Sequence, residues 1–122
     1  RNELGLLVED LEQVRNADRI ERERMVSRLK EGGFIHDDEP SEEDLVLAMH
    51  AYLAASPALL LAVSLVDVVG EKLPQNLPGT NAEYPNWCVP LHAFNGKEVL
   101  IDDMAHCDRV KRFLTSVDRY IR

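Results

Sequence analysis

The chain has 122 residues, which is enough for one domain with a modest core. Its 22 acidic and 14 basic side chains give a net charge of −8, which argues against a nucleic-acid surface and against binding to anionic lipid. The two cysteines, Cys88 and Cys107, are too few for a disulfide framework and lack CxxC spacing. We interpret them as free thiols in a cytoplasmic protein.

The N-terminal half predicts two amphipathic helices. Residues 6–31 carry apolar side chains at helical spacing under a highly charged outer face, and a glycine pair at 32–33 ends the segment. Residues 41–55 predict the second helix, with Ser41 as its N-cap, acidic residues in its first turn, and Pro57 preventing its continuation. The side chains expected on the buried face of this helix are Leu45, Met49, Tyr52 and Leu53.

The C-terminal half predicts a strand, a long loop and a third helix. The apolar run near 58–67 is the one candidate for a buried strand, and it is too short to span a bilayer. Its first half is rich in Ala and Leu and could equally be helix, since periodicity does not decide between the two. Residues 71–91 are expected to form a loop, and 106–122 an amphipathic helix. An unpaired strand leaves its backbone groups unsatisfied, so either the chain is entirely helical or the partner strands belong to a longer polypeptide.

Several polar clusters could in principle carry chemistry. The segment IHDDEPSEED could bind a hard cation or supply acid–base groups, but it precedes a helix N-cap and lacks the glycine of a calcium loop, which favours a solvated linker. His50, His92 and His106, with the two cysteines, match no zinc spacing. A nucleophilic Cys88–His92 pair would lack an orienting third group. The sequence therefore predicts no metal and no cofactor.

The segment LPQNLPGTNAEYPNW, residues 73–87, differs from an ordinary polar loop. Its prolines restrict the unbound chain, its asparagines offer amides suited to sugar hydroxyls, and Gly79 permits a close approach of backbone to ligand. Tyr84 and Trp87, the latter the only tryptophan, could lie against a sugar face or pack beneath the loop. On residue chemistry alone, ligand binding and simple loop packing both remain open.

This loop closely resembles the motif N-[LIV]-P-G-T followed by [YH]-P-N-W in the 4-α-glucanotransferases of glycoside hydrolase family 77. The preceding LAVSLVDVVGE is similar to the last barrel strand of that family, and PSEEDLVLAMHAYLAASP to the helix before it. The resemblance covers nearly all of residues 1–122. It implies an α/β fold: the C-terminal portion of a (β/α)8 TIM barrel, predominantly helical, with about one barrel strand.

The resemblance also implies an activity. Such enzymes transfer α-1,4-glucan chains to the 4-hydroxyl of an acceptor through a covalent glycosyl-enzyme, and the substrate would be a maltooligosaccharide. The three catalytic carboxylates of the family are expected upstream of this segment, so the segment alone is expected to be inactive. The acids and histidine that imitate catalytic motifs stand in the wrong context and receive no catalytic role; they are Glu9, Asp10, His36 and Asp37.

Carried over position by position, the resemblance implies a substrate-side loop. The residues implied to border the glucan cleft are Asn76, Pro78, Gly79 and Thr80. The residues implied to anchor the loop are Tyr84, Asn86 and Trp87, with the indole favoured as a packing anchor over a sugar platform. The chain departs from the family pattern at Cys88-Val89-Pro90, where a basic run is usual, and at Val66, where an acid is usual. The alternative hypothesis is a small helical interaction module that self-associates without catalysis.

Overall fold

The computed structural model describes residues 10–121, and the regular structure in this range is helical. The helices are α1 (Leu11–Glu31), α2 (Glu42–Ala54), α3 (Leu65–Val69), α4 (Ile101–Met104) and α5 (Asp108–Asp118). The predicted helices at 6–31, 41–55 and 106–122 correspond to α1, α2 and α5, while residues 6–9 and 122 lie outside the described residues. The predominantly helical character is confirmed. None of these five helices is both long and apolar enough to cross a membrane.

Local signals in the sequence fix the helix ends. Asp10 caps α1 by accepting the backbone N–H of Gln13 at 3.4 Å. Ser41 caps α2 as expected, and its Oγ accepts the backbone N–H of Asp44 at 3.1 Å. Gly33 follows α1 with φ +74°, a left-handed conformation that glycine adopts without strain.

The strand predicted near 58–67 is wrong for the part of the chain that the structure describes. Residues 58–64 have no regular secondary structure, and Leu65–Val69 form the short helix α3. A strand is stable only when a second strand satisfies its backbone groups, and within residues 10–121 the sole bridge joins His92 and Glu98. The Leu-Val-Asp-Val-Val segment instead forms a helical turn, in which the N–H of Val68 donates to the carbonyl oxygen of Ser64 at 3.1 Å and that of Gly70 to the carbonyl oxygen of Val66 at 3.0 Å.

Two hydrophobic clusters form the core, and α2 contributes to both. The first cluster joins α2 to α3, α4 and α5; its buried members are Leu47, Val68, Val69, Met104, Val110, Phe113 and Val117. The second joins α2 to the end of α1; its buried members are Leu29, Ile35, Leu45 and Ala48. The two clusters bury α2 through Leu47 on one side and through Leu45 and Ala48 on the other. The expected core residues Tyr52 and Leu53 belong to neither cluster and are 39% and 49% exposed.

Candidate functional site

The candidate site is the loop that leaves α3. Gly70 ends α3 with φ +83°, and its N–H and that of Glu71 both reach the carbonyl oxygen of Val66 at 3.0 Å. This left-handed C-terminal cap turns the chain sharply away from the helix. The loop therefore starts from a fixed point on the first core cluster.

Glu71 closes the base of the loop. Its Oε1 accepts the backbone N–H groups of Lys72 and Leu73 at 2.7 and 2.8 Å. Its Oε2 accepts the backbone N–H of His92 at 2.8 Å and lies 2.9 Å from the ring Nδ1 of the same histidine. The Glu71 side chain is only 4% exposed. One carboxylate thus joins the two ends of a segment of about 20 residues.

This environment keeps Glu71 ionised. Burial alone would raise the pKa of the Glu71 carboxyl, but the hydrogen bonds from Leu73 and His92, together with that from Lys72, outweigh burial and lower it. A general acid needs the opposite shift, toward neutral pH. The carboxylate at the loop base is therefore suited to structure and not to proton transfer.

The sequence Leu77-Pro78-Gly79-Thr80 forms a tight turn. Proline at the second position and Gly79 at the third, with φ +91°, are the signature of a type II turn, and the N–H of Thr80 donates to the carbonyl oxygen of Leu77 at 3.2 Å. Leu77 itself is buried. The first residue of the turn, Leu77, is thus packed into the protein, while Pro78 and Gly79 at the tip of the turn are exposed.

The side chain of Asn86 fixes this turn from the far side of the loop. Its Oδ1 accepts the N–H of Leu77 at 2.7 Å, and its Nδ2 donates to Thr80 Oγ1 at 3.0 Å. The Thr80 hydroxyl in turn donates to the carbonyl oxygen of Leu77 at 2.6 Å. The Tyr84 hydroxyl donates to the carbonyl oxygen of Pro74 at 2.6 Å. Asn86 and Tyr84 therefore make the cross-loop contacts that an anchor requires.

Trp87 departs from the predicted anchor role. Its backbone N–H donates to the carbonyl oxygen of Gln75 at 2.7 Å, but its side chain is 75% exposed. None of the described residues, 10–121, therefore covers the indole beneath the loop. Trp87 also has φ +62°, a left-handed conformation that is rare for a bulky residue and that tends to occur at functional positions. A large aromatic surface is thus presented outward from a strained backbone.

The four residues implied to border a cleft divide into two groups. Asn76, Pro78 and Gly79 are exposed along the outside of the turn. Thr80 is half-buried, and its hydroxyl is used within the loop. Close by, Gln75 Nε2 is buried without an acceptor among the described residues, a donor of the kind that a further oxygen atom usually satisfies.

Sequence reasoning missed the residues that position the loop. Glu71 and His92 lie 21 positions apart, and no local pattern links them. Leu77 could have been found, because it is the one aliphatic residue between the prolines at 74 and 78. Gln75 gave no signal beyond its polarity.

Three of the other candidate groups, His50, Asp37 and His92, make contacts within the fold. His50 is buried in α2, with Nδ1 2.8 Å from the carbonyl oxygen of Val46 and its ring centroid 4.7 Å from that of Phe113. Asp37 Oδ1 accepts the N–H of Glu39 at 3.0 Å, as a linker residue would. His92 contacts Glu71, and Cys88 is exposed. Over residues 10–121, no group of three or more potential metal ligands comes together.

The left-handed backbone at Trp87 makes a testable prediction. Glycine tolerates φ +62°, whereas alanine meets the same steric cost as any other L-residue, so Trp87→Gly is expected to be more stable than Trp87→Ala by about 1 kcal/mol. Thermal and urea unfolding followed by circular dichroism would measure the difference. Equal stability of the two variants, or a more stable alanine variant, would show that the position is not held in the left-handed region.

Comparison with known proteins identifies relatives for most of the chain. The family model for 4-alpha-glucanotransferase, glycoside hydrolase family 77, matches residues 9–95. The 4-alpha-glucanotransferases of Mycobacterium tuberculosis and Mycobacterium bovis are each 42% identical to this chain over 105 residues, which is 85% of this chain and 14% of each relative. That of Haemophilus influenzae is 44% identical over 43 residues, 35% of this chain and 6% of the relative. The chain thus spans only a small part of these relatives, and no solved structure matches it significantly.

Proposed function

Because the chain belongs to the 4-alpha-glucanotransferase family, we propose that it forms part of an enzyme that transfers α-1,4-glucan chains between glucans. In this proposal the complete enzyme cleaves a donor glucan, retains the glycosyl part as a covalent intermediate, and passes it to the 4-hydroxyl of an acceptor. The 122-residue chain contributes a loop that borders the substrate cleft. The catalytic carboxylates are contributed by other parts of the enzyme.

The loop 73–87 carries this proposal. Its turn is held by Asn86 and its base by Glu71, so Asn76 and Gly79 are presented outward from a backbone that needs little further ordering. A site that is ordered before the ligand arrives loses less entropy on binding. Exposed amide and backbone groups suit sugar hydroxyls, and the exposed Trp87 ring suits a sugar face. Glucan is a neutral ligand, which is compatible with a chain of net charge −8.

We further propose that Leu59 and Leu60, in the irregular segment 58–64, face barrel polypeptide that belongs to the complete enzyme, whereas Leu61 and Val63 of the same segment pack on the first core cluster. Leu59 and Leu60 are 98% and 91% exposed, next to the half-exposed Leu53 and Ile121. Apolar surface of this extent supports a covering partner, and the walls of a (β/α)8 barrel would supply one.

The same exposed leucines favour a second candidate, a helical module that self-associates. Covering Leu59 and Leu60 with a second copy would remove the same apolar surface from water. Sedimentation velocity of the purified chain distinguishes the candidates. A monomer supports the role as part of a larger enzyme, and a stable dimer supports the self-associating module. The enzyme role further requires that the chain takes part in glucan transfer when it is combined with the remainder of the enzyme, whereas the module should have no effect on glucan transfer.

A chimeric enzyme tests the proposed role of the loop. We expect the Mycobacterium tuberculosis relative to retain glucan transfer when its matching 105-residue region is replaced by that of this chain. In the chimera, Asn76→Ala is expected to lower kcat/KM by about tenfold, because a polar contact to the sugar would be lost. The assay follows the conversion of maltotriose to glucose and longer oligomers. The substitution Asn16→Ala, on the exposed face of α1, is the matched control and should leave kcat/KM unchanged.

Two outcomes would contradict the proposal. An active chimera that is indifferent to Asn76→Ala would show that this face of the loop does not meet the glucan. Turnover of maltotriose by the 122-residue chain on its own would show that the chain carries catalytic groups, against the assignment of a purely cleft-bordering role.

A further inference from the structure

Arg109 connects three helices at the point where the loop begins. It is the second residue of α5, and its side chain is only 15% exposed. Its Nε donates to the carbonyl oxygen of Val68 at 3.1 Å, and a terminal nitrogen donates to that of Asp67 at 3.3 Å. The other terminal nitrogen lies 3.0 Å from a carboxylate oxygen of Glu43 in α2. The planar guanidinium thus binds two backbone carbonyls and one carboxylate at once.

The two carbonyls are those that a short helix cannot satisfy by itself. The last carbonyls of any helix lack intrahelical donors, and α3 has five residues, so most of its carbonyls are in this position. A positive charge at this end is also favourable for the helix dipole. The guanidinium lies against Gly70, where an added Cβ would stand 3.0 Å from it. Arg109 therefore packs directly on the junction between α3 and the loop.

The junction leads at once to the base of the loop. Glu71 follows Gly70, and it accepts hydrogen bonds from Lys72, Leu73 and His92. A shift of the α3 end moves the Glu71 backbone and with it the acceptor of these bonds. The orientation of the loop is thus coupled to a side chain on α5, 38 positions later in the sequence.

We propose that Arg109 is a positioning residue for the loop 73–87, acting through the C-terminus of α3 and through Glu71. Its relevance to glucan transfer rests on the proposed function, but its effect on the loop does not. Arg109 touches no residue implied to border the cleft. It holds the C-terminal end of α3, and the loop that carries those residues begins there.

Arg112 provides a matched control within the same helix. It lies one turn along α5 and forms ion pairs with Glu43 at 3.1 Å and Asp44 at 2.7 Å. It therefore joins α5 to α2 as Arg109 does, but it does so through carboxylates of α2, whereas Arg109 also binds the carbonyls of α3. Comparing the two arginines separates the contact with α3 from the ion pairing between α2 and α5.

Amide hydrogen exchange in the 122-residue chain tests the proposal, with no sugar present. The reporters are the N–H groups of Leu73, bound to Glu71, and of Trp87, bound to Gln75. In Arg109→Gln we expect both to exchange about tenfold faster, because the loss of charge-assisted bonds to α3 loosens the junction. In Arg112→Gln we expect the two rates to stay within about twofold of the parent chain. Amides in the middle of α2 should respond alike in the two variants.

Arg109→Lys and Glu43→Gln keep the test decisive if Arg109→Gln fails to fold. Lysine keeps the charge near Glu43 but cannot bind two carbonyls with one planar group, so the loop amides should still exchange faster. Glu43→Gln leaves the carbonyl contacts intact, so they should not. Equal acceleration by the Arg109 and Arg112 variants, or unchanged loop amides in both Arg109 variants, would overturn the proposal. Neither result would bear on the chimera assay, which tests the glucan role separately.

Discussion

Replacing Phe113 by alanine is expected to lower the free energy of unfolding by about 4 kcal/mol. Phe113 is 1% exposed and belongs to the first core cluster, where its ring packs against that of His50 at a centroid distance of 4.7 Å. The substitution removes a full aromatic side chain and leaves a cavity between α2, α3 and α5. Small domains are stable by only about 5–15 kcal/mol, so a loss of this size should be evident in urea or thermal unfolding.

Leu114 is the matched control for this prediction. It is the next residue of the same helix, but its side chain is 54% exposed, so Leu114→Ala should cost less than about 1 kcal/mol. The contrast tests the orientation of α5 and not merely the helix propensity of the segment. Similar losses in the two variants would mean that the face of α5 defined by Phe113 is not the one that packs on α2.

The sequence predicts those parts of the fold that short-range chemistry determines. Ser41 caps α2 because its side chain reaches an N–H three residues along, and no distant residue is needed. The Pro78-Gly79 pair specifies its turn for the same reason, since proline presets one dihedral angle and glycine accepts a positive φ. The location of the loop and the tightness of its turn follow from such rules.

Short-range chemistry does not predict which faces of the helices are buried or which conformation the apolar run adopts. The sequence predicts a strand near 58–67 because the run is almost continuously apolar, yet a strand also needs a partner strand, and none is found within residues 10–121. Tyr52 and Leu53 read as core because they continue a helical stripe, but α2 is buried from two other directions. Burial depends on neighbours that are distant in sequence, and periodicity carries no information about them.

In the candidate site too, local sequence predicts some features, while others depend on residues that are distant in the sequence. The exposure of Asn76 and Gly79 follows from the turn, whereas the bond between Glu71 and His92 joins positions that no local rule connects. The sequence favours Trp87 as a packing anchor of the loop over a sugar platform. Its side chain is instead 75% exposed on a backbone with φ +62°, and a backbone dihedral angle of this kind cannot be inferred from the residue type.

Replacing Glu71 by alanine is expected to cost about 3 kcal/mol and to disorder the base of the loop, because three backbone N–H groups and an imidazole nitrogen lose one shared acceptor. Thermal unfolding measures the total loss, and the exchange rate of the Leu73 amide measures the local one. Glu98→Ala removes an exposed acid from the adjoining turn and should leave both quantities nearly unchanged. A comparable effect at Glu98 would show that general charge, and not the bonds of Glu71, governs this region.

The acid dependence of stability tests the same carboxylate by a second route. The folded-state pKa of Glu71 is lowered from its ordinary value of 4.5, because the hydrogen bonds outweigh burial. A lowered folded-state pKa contributes stability that is present above the unfolded value and is lost as the pH falls through the folded value. The parent chain should therefore lose more stability below pH 4.5 than Glu71→Gln, whose amide does not titrate. Parallel stability curves for the two proteins in this range would mean that the carboxylate of Glu71 does not accept these bonds in its ionised form.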